Sequence, residues 1–364
     1  MKVRNALLLT ALAVLLTATV LTIESENEGS EDTDQLVRQD VDDGSYLLLG
    51  GAFNPEKDMT NIEVSNNVIS AHFNLSGYSE YNWTIIDEDK PRSTSTTSFC
   101  EYTGDEITTT TPDLTLSTPG YGDYQIILSV DDEEFSGEIV LISTLTKNYE
   151  FEFDNENCQI TFEISYEEYY ETRKIDSNRS PTDDRYSDFV TEDDSVSQIA
   201  DEILAISDGN ADDAAAIALS FVQLFIAYPP CTLDGNGSFI MSPDMYLVGK
   251  ENYAFYPIET LFLETGDCED TSILYASILK AMNIETGLLL MPGHMMALAE
   301  LTGGDPENSN SSLSLYKTSV DDRTYYVCET SSSQTIPVGY AYESVTFGGN
   351  DIQYYLNSNY IEFI

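Results

Sequence analysis

Basic residues are scarce in this chain. Its 364 residues include 15 Lys and Arg against 64 Asp and Glu, a formal net charge of -49. A surface this negative repels phosphate backbones and anionic lipid headgroups, so nucleic acid is a poor partner. The acidic residues are spread along the chain rather than gathered in a tail, and we interpret them mainly as a solvated surface.

Histidine is nearly absent, and the number of cysteines is odd. The histidines are His72 and His294, and the cysteines are Cys100, Cys158, Cys231, Cys268 and Cys328. In an exported protein, an odd count leaves at least one thiol unpaired or paired with another molecule. Four cysteines remain for up to two bridges if Cys268 is the reactive one, and spacing alone assigns no pairing.

The N-terminus carries a targeting signal. Lys2 and Arg4 precede an uncharged apolar run of 18 residues, Ala6–Ile23. Residues 1–23 are therefore interpreted as a signal peptide or an uncleaved signal anchor, with the anchor favoured, and the positive flank places the rest of the chain outside the cell. Residues 24–44 are acidic and polar, which is typical of a linker. We expect a membrane-anchored, outward-facing protein, or a secreted one if the segment is cleaved.

The length suits about two domains, and the first of them, residues 45–145, is rich in β-signals. Strand-like runs separated by turn residues are Asn67–Phe73, Tyr81–Ile86, Tyr124–Val130 and Glu138–Ile142. Such spacing predicts an antiparallel sandwich, in which Trp83, the single tryptophan, would fill the core. The region resembles immunoglobulin-like domains of the polycystic-kidney-disease-repeat kind. A generic β-sandwich spacer is the alternative.

Residues 146–364 have a different pattern. The predicted elements are a hairpin (Tyr149–Phe153 and Gln159–Tyr166), helices (Val196–Ser207, Ala211–Tyr228 and Cys268–Met282) and strands (Thr286–Met291, Met295–Leu301 and Thr324–Glu329). Helices that precede a sheet indicate an α+β fold rather than alternating βαβ units.

Cys268 follows a helix-start signal. Gly266 and Asp267 interrupt the preceding structure, and Asp267 can act as N-cap. The cysteine then falls in the first helical turn, where free N–H groups and the helix dipole stabilise a thiolate, the nucleophilic form. A buried structural cysteine is the alternative.

His294 and Glu329 are candidates to complete a triad. His294 follows the Pro292-Gly293 turn at the head of an apolar strand, which presents the imidazole at the strand's rim. Glu329 ends an aromatic strand and could accept the other imidazole N–H, fixing the tautomer. The alternatives are a satisfied core histidine and an ordinary strand-end carboxylate. Cys328 should point to the opposite face from Glu329, where it would be packed or bridged.

Several motifs in this order resemble the transglutaminase-like superfamily of cysteine enzymes, especially its archaeal and bacterial membrane-linked members. They are Gly-Asp-Cys-Glu-Asp-Thr at 266–271, Pro-Gly-His at 292–294, Glu-Thr at 329–330, Phe-Val-Gln at 221–223 and Tyr-Pro-Ile-Glu-Thr-Leu at 256–261. The resemblance spans 146–364 and implies a papain/transglutaminase-like core of helices on an antiparallel sheet. It implies that Cys268 is the nucleophile, His294 the base and Glu329 the orienting residue. Many relatives have Asp where this chain has Glu329.

Acyl transfer also needs donors for the developing oxyanion. The Cys268 backbone N–H is one candidate, and Gln223 is the second, with a structural helix glutamine as the alternative. We expect Asp270 to cap or brace a loop as a support residue. Residues 233–238 form an oxygen-rich turn without the Glu-terminated loop of an EF-hand, so no metal and no cofactor are assigned.

These features predict a cell-surface thiol acyl-transfer enzyme acting on amide bonds of a protein or peptide. With water as acceptor it would be a peptidase or amidase, and with a lysine amine a crosslinker; hydrolysis is favoured because no amine-binding site is evident. One alternative is a catalytically silent domain that serves as a surface interaction module. Another is a structural surface protein in which the β-sandwich does the binding.

Overall fold

The computed structural model describes residues 37–41, 45–51, 59–175, 179, 185–234, 239–343, 345–358 and 360–364. The predicted signal segment 1–23 lies outside these residues, as does most of the predicted linker 24–44. Within the described ranges, no helix is long and apolar enough to cross a membrane.

The N-terminal part consists of β-strands in antiparallel sheets. They are β1 (Val37–Asp40), β2 (Tyr46–Gly51), β3 (Met59–Ser65), β4 (Val68–Phe73), β5 (Tyr81–Asp87), β6 (Asp105–Thr109), β7 (Asp113–Ser117), β8 (Gly122–Val130) and β9 (Glu133–Ile142). One sheet has the order β1-β2-β9-β8-β5-β6 and the other β3-β4-β7. β1 lies within the segment predicted as a linker and pairs with β2.

Alternating burial explains why these segments form strands. In β5, Tyr81, Trp83 and Ile85 point inward and the residues between them are more exposed, which is the period of a half-buried strand. Trp83 is 1% exposed and its ring lies 4.9 Å from that of Phe73 on β4. Its predicted place in the core is confirmed.

A long hairpin leads into the second part. β10 (Thr144–Phe153) follows β9 after one residue and pairs along its whole length with β11 (Glu156–Ser165). The turn residues Asp154 and Asn155 both have positive φ, 51° and 66°, which suits the right-handed twist of a two-residue hairpin. The predicted hairpin is confirmed, and it is longer than the sequence indicated.

The second part mixes helices with short and long antiparallel strands. In chain order its elements are α1 (Tyr166–Lys174), α2 (Asp194–Ile206), α3 (Ala211–Phe225), β12 (Thr232–Leu233), β13 (Phe239–Met241), α4 (Pro243–Leu247), α5 (Pro257–Leu263), α6 (Cys268–Ala281), β14 (Thr286–Met291), β15 (His294–Glu300), β16 (Leu313–Leu315), β17 (Lys317–Val320), β18 (Arg323–Cys328), β19 (Tyr340–Tyr342), α7 (Ile352–Leu356) and β20 (Ile361–Phe363). A 3-10 turn covers Tyr186–Phe189.

Helix α6 packs on an antiparallel sheet of order β17-β18-β15-β14-β20. The prediction of a mixed fold with helices before the sheet is confirmed, and the described residues contain several antiparallel sheets and seven helices. Helix α3 ends at Phe225, before Tyr228 and the two prolines. The sequence analysis missed α1, because Tyr166, Tyr169 and Tyr170 form its buried stripe within a strongly charged segment.

The two parts share one hydrophobic core. Tyr46 and Ile142 of the first sheet belong to the same buried cluster as Ile160 on β11 and Tyr166 on α1. The domain boundary expected at 145/146 therefore falls inside β10, and apolar packing continues across it.

A buried ion network reinforces this contact. Arg173 on α1 pairs with Asp89, 2.6 Å away, and with Asp123 at the start of β8. The Tyr166 hydroxyl donates to the other oxygen of Asp89 at 2.7 Å. Burial raises the pKa of Asp123 to about 7, against the opposing effect of the Arg173 charge.

Replacing Arg173 tests this network. Arg173→Met should lower the free energy of unfolding by about 3–5 kcal/mol at pH 8, because it leaves two buried carboxylates without their cation. Urea denaturation measures the loss. Arg323→Met is the matched control, since Arg323 forms an exposed pair with Glu285 and should change stability by about 1 kcal/mol or less.

The pH dependence of the stability loss in Arg173→Met shows whether its cause is electrostatic. Without Arg173, the folded-state pKa values of Asp89 and Asp123 rise further above their unfolded values. Such groups favour the folded state at low pH and lose that contribution as pH rises through the folded pKa. The deficit of Arg173→Met should therefore shrink between pH 8 and pH 5, and a deficit independent of pH would contradict an electrostatic origin.

Candidate active site

The start of α6 positions Cys268. The N-cap Asp267 accepts a hydrogen bond from the Glu269 N–H at 3.2 Å, and Asp270 accepts one from the Asp267 N–H at 3.1 Å, which completes a capping box. Gly266 is needed here, because a Cβ at that position would lie 2.7 Å from the Cβ of Asp270. Cys268 is consequently the first residue of the helix, as the sequence predicts.

The thiol is surrounded by carboxylates. Cys268 is buried, and its sulfur lies 3.0 Å from Oε2 of Glu269. Burial raises the pKa of the thiol well above its usual value, and the charges of Glu269 and Asp267 raise it further. A hydrogen bond from the Met295 backbone N–H opposes them. The expected thiolate at a helix N-terminus is corrected here, because desolvation and two nearby carboxylates outweigh the helix dipole.

His294 lies at the head of β15. Met291 and His294 are paired across the two-residue turn Pro292-Gly293, where Gly293 adopts a φ of 72°. The imidazole Nε2 is 2.8 Å from Oε2 of Glu329, and the ring stacks on Phe347 with centroids 5.0 Å apart. The turn and the stacked ring together fix the orientation of the imidazole.

Glu329 follows β18, which is the neighbour of β15 in the sheet. Its second oxygen accepts from the Ser331 N–H at 3.1 Å and the Ser331 hydroxyl at 2.8 Å. Burial raises the pKa of this carboxyl, but the hydrogen bonds from His294 and Ser331 outweigh it and hold the pKa below its usual value. An ionised carboxylate only accepts, so Nε2 carries the hydrogen and Nδ1 of a neutral His294 keeps its lone pair.

Cys268 and His294 line the same cavity, which has a volume of about 580 Å³. The Met295 N–H contacts the Cys268 sulfur, so the residue next to His294 in sequence is in direct contact with the thiol. Glu329 is absent from the lining and lies behind the imidazole. Cys268 and His294, which are far apart in sequence, thus line one cavity, and Glu329 contacts the imidazole of His294.

Gln223 has a different place from the one expected of an oxyanion donor. Its Nε2 donates to the backbone oxygens of Glu329 at 2.7 Å and Ile336 at 3.1 Å, and its Oε1 accepts from the Ile336 N–H. Both amide hydrogens are occupied, so the side chain braces the backbone that carries Glu329.

Two other predicted residues sit beside the site. Asp270 is fully buried and accepts from the Phe255 N–H at 2.8 Å, which braces the loop before α5. Cys328 is buried between β18 and α6, where its sulfur lies 3.4 Å from the Tyr275 hydroxyl. Burial raises the pKa of the Cys328 thiol to about 12. All five cysteines are free thiols.

The rim of the cavity includes residues that sequence reasoning missed. Phe99, Tyr228 and Ile240 are exposed apolar side chains that line its mouth. Phe99 lies in the loop between β5 and β6 of the N-terminal β-region. Backbone hydrogen bonds from Arg92 to Leu247 and from Ser93 to Tyr246 hold this loop against α4. The local sequence signal for this rim was Phe99, an aromatic residue in a Ser/Thr-rich segment.

Comparisons with known proteins add little to this geometry. No protein-family model matches the chain, and neither does any curated protein. Among solved structures it is similar to a protein from Parabacteroides distasonis described as a "putative protease", at 10% identity and a TM-score of 0.25. The alignment covers 82% of this chain and 69% of that one. A TM-score of this size does not establish a shared fold.

Glu269 offers a direct test of the thiol's environment. In buffer free of divalent cations, Glu269→Gln should speed alkylation of Cys268 at pH 7, by about tenfold for each unit that the thiol pKa falls. The physical reason is the loss of a carboxylate 3.0 Å from the sulfur. Iodoacetamide labelling followed by peptide mass mapping measures the rate.

Glu251→Gln serves as the matched control, because Glu251 lines the same cavity and is exposed. Its labelling rate should stay within about twofold of the original, since a charge in water is strongly screened. Equal acceleration in both variants would show that general surface charge, not Glu269, sets the reactivity.

Proposed function

We propose that this chain is a transglutaminase-like thiol enzyme that transfers acyl groups from amide bonds. Cys268 is the nucleophile, His294 the base and Glu329 the residue that orients the base. The observation that carries the proposal is the His294–Glu329 pair, 2.8 Å apart, at the wall of the cavity that holds the Cys268 sulfur. The packing of α6 on an antiparallel sheet supports a papain/transglutaminase-like core. The two antiparallel sheets of the N-terminal part support an immunoglobulin-like sandwich.

The proposed chemistry follows from the hydrogen-bond directions. His294 Nδ1 takes the Cys268 proton, and the sulfur attacks the amide carbonyl carbon to give a tetrahedral intermediate. The carbon–nitrogen bond then breaks as the imidazolium returns the proton to the leaving amine, which leaves a thioester on Cys268. Glu329 stabilises the imidazolium through Nε2, and the Cys268 backbone N–H is the proposed oxyanion donor. Water or an amine then releases the acyl group.

The cavity indicates the kind of substrate. Its mouth is apolar at Phe99, Tyr228 and Ile240, and its interior carries carboxylates, with no Lys or Arg among the lining residues. We propose that a peptide with an apolar side chain occupies the mouth and that the site disfavours carboxylates close to the scissile bond. Phe99 makes the N-terminal β-region part of this substrate site. Outside the membrane, such a site meets peptides directly.

Turnover of peptide mixtures by the purified full chain tests the proposal. Cys268→Ala should abolish amide cleavage, and Glu329→Gln should lower kcat by about 10²–10⁴ because the imidazole loses its orienting carboxylate. Mass spectrometry of the products and of the acid-quenched protein detects cleavage and the acyl adduct on Cys268.

His72→Ala is the matched control. His72 pairs with Asp113 at 2.6 Å on an exposed strand of the N-terminal sheet, so it reproduces a His–carboxylate pair without a thiol. Its activity should equal that of the original protein. Full turnover in Cys268→Ala would refute the proposal. Incorporation of a fluorescent primary amine into the acylated substrate, in place of hydrolysis, would identify a crosslinker.

A catalytically silent interaction module is the second candidate, and one observation favours it. The Cys268 thiol donates a hydrogen bond to Glu269 and its pKa is raised, which favours the protonated form that is a poor nucleophile. In that case Cys268→Ala would retain peptide binding with unchanged affinity, and no acyl adduct would form on the original chain.

A further inference from the structure

Three aspartates converge directly beneath Cys268. Asp244 lies in the first turn of α4, Asp267 is the N-cap of α6, and Asp270 is the third residue of α6. Each offers a carboxylate oxygen, and these oxygens all lie within 4.8 Å of one another. The three residues are 3%, 7% and 0% exposed. Carboxylates are rarely buried together without a compensating charge.

In this cluster one buried carboxylate oxygen, Oδ1 of Asp244, has no hydrogen-bond donor among the described residues. Asp270 accepts from the N–H groups of Phe255 and Asp267, and Asp267 accepts from that of Glu269. Asp244 accepts from the Tyr253 N–H at 2.8 Å through Oδ2. Its Oδ1 is buried and has no hydrogen-bond partner among the described residues. This orphaned oxygen belongs to a residue that is only 3% exposed.

The charges of the cluster are not balanced by protein groups. None of the ion pairs formed by described residues involves Asp244, Asp267 or Asp270, and the Glu269 carboxylate lies close by. The N-terminus of α6 contributes about half a positive charge, which is far less than three carboxylates require. A cation or shared protons must supply the rest.

We propose that Asp244, Asp267 and Asp270 bind a divalent cation of the calcium class. Carboxylate oxygens are the ligands such hard cations prefer, and calcium accepts about six to eight of them in flexible geometry. Asp244 and Asp267 also line the cavity, so water can enter to complete the coordination. None of the three aspartates belongs to the oxygen-rich turn predicted at 233–238, most of which lies outside the described residues.

Calorimetric titration of the full chain with CaCl₂ tests the site, in a high concentration of NaCl that screens the acidic surface. One tight equivalent should bind, and the melting temperature should rise with calcium. Asp244→Asn should weaken binding at least about tenfold, because it removes one charged ligand. Asp321→Asn, which neutralises an exposed turn residue, should bind as the original does. Magnesium in place of calcium would still support a divalent site.

Two results would overturn the proposal. Equal calcium binding by Asp244→Asn and the original chain would assign it to the diffuse surface charge. Stability that depends on pH but is unchanged by calcium would assign shared protons to the cluster. If Cys268→Ala binds calcium and the original chain shows no turnover, the cation site stands and the proposed enzymatic activity is wrong.

Discussion

The capping box of α6 determines where the Cys268 thiol lies. Asp270 is wholly buried, yet it ties the N-cap backbone of Asp267 to the Phe255 N–H of the preceding loop. These bonds make Cys268 the first residue of the helix and hold it against β15, where the Met295 N–H meets its sulfur. Burying a carboxyl so deeply is costly, and the backbone hydrogen bonds that Asp270 accepts offset part of this cost.

The same carboxylates create an electrostatic conflict. Asp267 caps the helix, but the Cys268 thiol next to it is buried, and burial together with the charges of Glu269 and Asp267 raises the pKa of the thiol. On the other side of the cavity the pKa of Glu329 stays below its usual value, because the hydrogen bonds from His294 and Ser331 outweigh the effect of burial. A cation bound to Asp244, Asp267 and Asp270, as proposed, would offset the buried negative charge of these aspartates.

The N-terminal β-region is more than a spacer in this arrangement. It shares a hydrophobic core with β11 and α1, and Arg173 neutralises Asp89 and Asp123 at the junction. Its loop carries Phe99 to the mouth of the cavity. The loop between β5 and β6 is thus part of the wall of the cavity that Cys268 lines.

Local pattern in the sequence was sufficient for the elements that carry the site. Residue order alone placed Cys268 at a helix start, His294 at a strand head and Glu329 at a strand end, because caps, turns and alternation are encoded by neighbouring residues. The sequence pattern did not predict helix α1, because charged residues separate the tyrosines that form its buried face. The role of Gln223, the burial that raises the pKa of Cys268 and the meeting of Asp244 with Asp267 and Asp270 depend on distances between remote segments. Only the tertiary structure decided these, since solvent exclusion and charge proximity arise from packing rather than from sequence order.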